Sequence, residues 1–261
     1  TWPLTVLLPV DTFRREWYMI PLDEEHQEQI DLARQRIEAV SVDFTRLTPF
    51  LNQMESLDLA EDYIALAAAR NDLLKLAMPW DDERQALAES VEEAAVSAMA
   101  LLPLDLVVNQ EDVDRLTCRA MYNSVCAKIE LGLVCGGKLD PEGATHFLSA
   151  ISLCRERAVW AEQHDRGDVA TGWLILAASI YNRMSNDRNW PASITWRNAL
   201  ALSEKALACA ASPAVGDLAR ARATTYASLL AGIDPDPSFS QRVQEYGGTK
   251  PELSAADLPL W

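Results

Sequence analysis

The chain has 261 residues, with 39 Asp and Glu against 23 Lys and Arg, and a net charge of −16. That sign makes the chain a poor candidate for sequence-independent nucleic-acid binding, which uses a basic face to replace released counterions, and equally poor for an anionic membrane surface. With 49% hydrophobic and 24% charged residues, the composition is that of a folded globular protein long enough to bury a sizeable core.

Residues 1–22 differ in texture from the rest. Two short apolar runs, 4–10 and 16–20, are rich in β-formers and bounded by Pro9 and Pro21. They read as a two-stranded ribbon or as an extended arm laid over helices, carrying Trp2, Trp17, Tyr18 and Met19. From Asp23 the period becomes helical. Ile30, Ala33, Ile37, Val40, Phe44, Leu47 and Leu51 alternate by three and four, the pattern of a long helix with one buried stripe, kinked at Thr48-Pro49. Asp58 and Glu61 resemble a capping box opening a helix over 59–78.

Asp81-Asp82-Glu83 opens a third helix, with Leu87, Val91, Ala94, Ala98 and Leu101 on one stripe and Pro103 as its stop. A fourth starts after Asn109 and ends at Gly136-Gly137. Asp140-Pro141 begins a fifth, whose stripe is Phe147, Ile151, Cys154, Ala158 and Ala161. Asp168 reads as the cap of the sixth, with Trp173, Leu176, Ala177, Ile180 and Met184 facing inward. A longer connection over 185–192 precedes two helices split at Ser212-Pro213, with Leu200, Ala206, Leu207 and Ala210, then Leu218, Thr225 and Leu229, on their stripes. Asp234-Pro-Asp-Pro237 is a rigid stop, 239–246 a short helix, and 250–261 a polar and acidic tail ending Leu258-Pro-Leu-Trp261, suited either to pack on the helices or to dock on a partner.

Residues 173–230 resemble tetratricopeptide-type helical hairpins. Trp173, Leu176, Ala177 and Ile180 match the bulky-apolar-small-bulky spacing of that family's first helix, and Ala199, Ala206 and Pro213 fit its second. Ser203 stands where the family carries a bulky residue. The resemblance implies stacked helix pairs with a concave surface that binds a peptide or protein segment.

Chemistry-bearing spacing is sparse. There is no phosphate-binding glycine loop, no nucleophile elbow and no paired-cysteine motif, and His26, His146 and His164 have no metal-ligand spacing. No cofactor and no metal site follow from the motifs. Cys118, Cys126, Cys135, Cys154 and Cys209 form no disulfide framework, and with no 18-residue apolar run they point to a reducing, cytoplasmic compartment. Asp81, Asp82 and Asp187 would be the ligands if this were an all-α enzyme holding Mg²⁺ and a diphosphate or another anionic small molecule.

The acid is unevenly spread. Residues 1–139 hold 25 acidic and 12 basic side chains, whereas 140–232 hold nine of each. In that neutral region Arg183, Arg197, Arg220 and Arg222 neighbour Trp173, Trp190 and Trp196 in sequence, and arginine pairs with carboxylates and stacks on rings. These residues, with Trp261, are the candidate partner-binding set. The sequence therefore predicts a mainly α protein, an antiparallel bundle or short helical-hairpin solenoid. Its divisions are an arm at 1–22, one all-α domain at 23–233 and an extension at 234–261. The expected function is a non-enzymatic interaction module, an adaptor, chaperone-like protein or assembly subunit, whose partner is another protein or peptide segment. It is expected to bind neither nucleic acid nor membrane. The alternatives are the Mg²⁺-dependent enzyme and a structural homo-oligomer.

Overall fold

A computed structural model describes residues 24–40, 53–76, 83–102, 110–136, 141–185, 190–247, 251, 253–254 and 258–260. The described residues are mainly helical, with no strand among them: α1 (Glu24–Ala39), α2 (Gln53–Leu76), α3 (Glu83–Leu101), α4 (Gln110–Gly136), α5 (Pro141–Gln163), α6 (Gly167–Met184), α7 (Ala192–Cys209), α8 (Pro213–Ala231) and α9 (Pro237–Tyr246). The expected arm at 1–22, the kink at Thr48-Pro49 and the acidic residues Asp81, Asp82 and Asp187 lie outside the described residues.

Each helix packs on the next in the chain, from α1 on α2 through to α9 on α8, and α2 also meets α4 as α6 meets α8. Small residues allow the close approach. Ala88, Ala94, Ala95 and Ala98 line the buried face of α3, and Ala199 and Ala206 that of α7. Polar side chains stitch the layers where they are satisfied. The buried Asn71 amide donates to Asn123 Oδ1 at 2.7 Å, joining α2 to α4. Arg84 pairs with Glu130, and Lys128 with Glu92, across α3 and α4. Arg157, buried in α5, donates to the Cys118 sulfur and the Asp114 carbonyl and lies 3.3 Å from the centroid of the Trp160 ring.

The main core joins α4, α5 and α6, with Phe147, Ile151, Cys154, Trp173, Ile180 and Met184 all buried. The stripes expected on α3, α5 and α6 are the ones buried, Leu87 and Leu176 only partly. Three local expectations are corrected. Helix α2 begins at Gln53, not at 59; no Gly or Pro interrupts 53–58, and Leu57 packs on the core. Thr225 faces outward, because α8 buries Ala223, Tyr226, Ala227 and Leu230, a face one residue out of step with the expected one. Asp168 lies inside the first turn of α6, while the N-cap position is Arg166, which gives no side-chain cap.

No helix among the described residues is long and apolar enough to cross a membrane.

Candidate functional site

Helix α6 is the element around which a site is built. Eleven of its 18 residues are buried, and its only charged side chains are Asp168 and Arg183. A helix with so few polar side chains needs cover over most of its perimeter. Helices α5, α7 and α8 cover part of it. At its first turn, Gly167 lies so close to the Cys209 carbonyl oxygen that a Cβ would overlap it. Thr171 Oγ1 donates to the Ala206 carbonyl at 2.9 Å, and the Asp168 carboxylate accepts from the Ala211 and Ser212 amides at 2.8 and 2.9 Å. Burial pushes the Asp168 pKa up, but those two amides outweigh it and hold the carboxyl below its ordinary value.

Residues 258–260 cover a further side. The Trp173 indole Nε1–H donates to the Leu260 carbonyl oxygen at 3.0 Å. The preceding residue, Gly172, faces the Pro259 carbonyl so closely that a Cβ would overlap it, with the Leu260 side chain also alongside. Leu260 is 5% exposed and belongs to the main core cluster, against which Leu253 and Leu258 also pack. The notch therefore holds residues 258–260 through two main-chain carbonyls and an apolar side chain. Pro259 suits the middle position because it has no N–H to leave unsatisfied and holds Leu258 extended.

The other expected binding residues occupy separate positions. Trp173 is fully buried and its donor is engaged by Leu260. Trp190 packs half-buried against the main core. The Trp196 indole donates to Asn182 Oδ1 at 3.2 Å and Ser185 Oγ at 3.1 Å, tying α7 to the end of α6. Arg183 lies 3.8 Å from Glu130 of α4. Arg197 pairs with Asp234 and lies 5.4 Å from the Phe239 ring centroid; the hydrogen bond from Arg197 holds the Asp234 carboxyl below its usual value. Arg220 pairs with Asp217 on its own helix at 2.8 Å, and Arg222 is half-buried beside Tyr226, whose hydroxyl burial pushes up to about 12. Arg197 and Arg220 thus each have a carboxylate of their own, while Arg183 shares Glu130 with Arg84. Trp261 lies outside the described residues.

Gly172 is the part of the site that motif reading passed over, whereas the tail ending Leu258-Pro-Leu-Trp261 was expected either to pack on the helices or to dock on a partner, and its residues 258–260 pack on the helices. The available signal was a glycine inside a run of strong helix formers, where it costs about 1 kcal/mol relative to Ala and marks close backbone approach. The site offers hydrogen-bond donation and apolar contact. It contains no nucleophile beside a base, and the thiols at Cys118, Cys126, Cys154 and Cys209 have pKa values raised by burial, which keeps them protonated and unreactive. No group of three or more His, Cys, Asp or Glu side chains among the described residues is placed to hold a metal ion.

No protein-family model matches the chain, and searches of curated proteins and of solved structures likewise yield no match.

Proposed function

We propose that this protein is a non-enzymatic protein–protein interaction module whose second-half helices, α6 to α8, bind an extended segment of a partner. The observation that carries the reading is the seat of residues 258–260 on α6, where Trp173 and Gly172 meet main-chain carbonyls. A surface that holds one extended segment through its backbone has the chemistry to hold another. The order of helix contacts also supports a short helical-hairpin solenoid, since each helix packs chiefly on its neighbours in the chain, with further contacts from α2 to α4 and from α6 to α8. In such an array the faces of several helices line one continuous surface.

A displayed library of random peptides, selected on the full chain, tests this. The reading expects a peptide with a Kd of about 10 µM or tighter, on the order found for short segments on preformed grooves, crosslinking to α6–α8. Absence of any selected peptide, or crosslinks confined to α1–α3, would sink it.

A further inference from the structure

Residues 258–260 are bound to α6 in the way a ligand is bound. The Leu260 carbonyl takes the Trp173 donor, the Pro259 carbonyl enters the space left by the missing Cβ of Gly172, and the Leu260 side chain enters the core. The two contacts are made to main-chain carbonyls, which every residue carries, so they do not themselves select a side chain. The sequence preference comes from what lies between and beside them. The central residue sits against backbone, so a residue with an N–H would bring a donor that needs a partner. The third position needs an apolar side chain of leucine size, since Leu260 is almost fully enclosed.

Resting on the function proposed above, we infer that the notch at Gly172 and Trp173 takes a partner segment of the form apolar-Pro-apolar, as in Leu-Pro-Leu, and that residues 258–260 are its resident competitor within the chain. The competitor is joined covalently to α9, so its local concentration is on the order of millimolar, and a free segment with an intrinsic Kd of about 10 µM would bind the intact chain about 100-fold more weakly than an emptied notch. Release of residues 258–260 is thereby the step that opens the site. The segment is suited to release because it adds no helix to the array, whereas α5, α7 and α8 hold α6 from their own sides.

The probe is a fluorescein-labelled peptide with the sequence of residues 251–261, followed by anisotropy. It is titrated into the full chain, into the full chain carrying Leu258→Asp and Leu260→Asp, and into that variant with Gly172→Ala added. The two aspartates expel the resident segment because a carboxylate cannot enter the apolar core unpaired. Binding is expected to strengthen about 100-fold in the double variant and to be lost again with Gly172→Ala. A double variant that keeps its helical circular-dichroism signal and does not bind the peptide overturns the inference. If that variant loses helix, the full chain with Gly172→Ala alone decides, through chymotryptic cleavage after Leu253 and Leu260 read by mass spectrometry. Cleavage about tenfold faster than in the unsubstituted chain supports a notch that depends on Gly172, and equal rates overturn it. Light scattering supplies the last arm: a dimer of the unsubstituted chain that Gly172→Ala abolishes assigns the notch to a second copy and overturns its assignment to a different partner. Peptide selection on α6–α8 can succeed when all these arms fail, so the two proposals fall separately.

Discussion

Helices α1 and α6 are nearly the same length and have opposite relations to the rest of the molecule. Helix α1 carries seven charged residues in 16; Ala33 is buried at 3% exposure, and Leu32 is 52% exposed. Helix α6 carries two charged residues in 18 and is enclosed by three helices and by residues 258–260. The contrast separates two uses of a helix. One lays a narrow stripe on its neighbour and leaves the remaining perimeter to water. The other has few polar side chains, so the fold must cover most of its perimeter, and a non-helical segment supplies part of that cover. The first kind tolerates change, while the second concentrates stability in a few contacts.

Trp173 is the sharpest place to break that contrast. Trp173→Ala removes the largest fully buried side chain and the partner of Leu260, and is expected to cost about 3–5 kcal/mol, read as a lowered urea midpoint. Trp173→Phe keeps most of the apolar volume but leaves the Leu260 carbonyl without its donor, for about 1–2 kcal/mol. A smaller loss in Trp173→Ala than in Trp173→Phe would show that the enclosure of α6 is not what holds it.

The two glycines of α6 sharpen the comparison within one helix. A Cβ at Gly167 would strike the Cys209 carbonyl, and a Cβ at Gly172 would strike the Pro259 carbonyl. The first obstacle is the end of a packed helix. Gly167→Ala must part α6 from α7 and is expected to cost about 1–3 kcal/mol. The second obstacle is a segment that can leave. Gly172→Ala loses the cover of Leu260 but regains the entropy of the released residues and gains helix propensity, so its net cost is about 1 kcal/mol or less. Urea midpoints of the two variants measure the difference, and equal losses would mean that residues 258–260 are as fixed as α7.

Much of this was legible in the sequence, for a physical reason. Pro103, Gly136, Pro141, Pro213 and Asp234-Pro-Asp-Pro237 punctuate the chain, and Gly and Pro constrain the local backbone whatever surrounds it. Helix ends at those places follow from local chemistry. The stripe of α5 was legible because its large residues recur at one spacing. That of α8 was not, because Ala223 and Ala227 are as buried as Leu218, and alanine marks no face by its hydrophobicity. Asp168 looked like a cap because Asp commonly takes that role. Its actual partners, the Ala211 and Ser212 amides, lie more than 40 residues away, and no local pattern encodes them. The notch is of the same kind: Gly172 and Leu260 are 88 positions apart, and only the folded chain brings them together.

Asp168 gives a smaller, pH-dependent effect. Its folded pKa is depressed by the two amides, so the contribution is fully present above the unfolded aspartate value of about 3.9 and is lost as pH falls through the folded value. Asp168→Asn is expected to cost about 1 kcal/mol at neutral pH, comparable to losing a helix cap, and to flatten the stability profile below about pH 4, where the unsubstituted chain loses the carboxylate's contribution. Urea midpoints across that range measure it. An unchanged profile would show that the turn between α7 and α8 is held without the carboxylate.

The smallest effect belongs to α1. Leu32→Glu adds a charge to a residue already about half in water, on a helix whose packing rests on Ala33 and on the half-buried Ile30, Ile37 and Val40. The added carboxylate sits one turn from Glu28 and Arg36, opposite charges that leave little net repulsion, so the change is expected within about 0.5 kcal/mol. Its counterpart on α6, Leu174→Glu, would place the same carboxylate at 1% exposure within the main core. Measured together by thermal melting, the pair isolates enclosure from chemistry, since residue type and substitution are identical. A large loss from Leu32→Glu would mean that α1 is covered by another surface in solution, and the same surface would then be a second place to look for a partner.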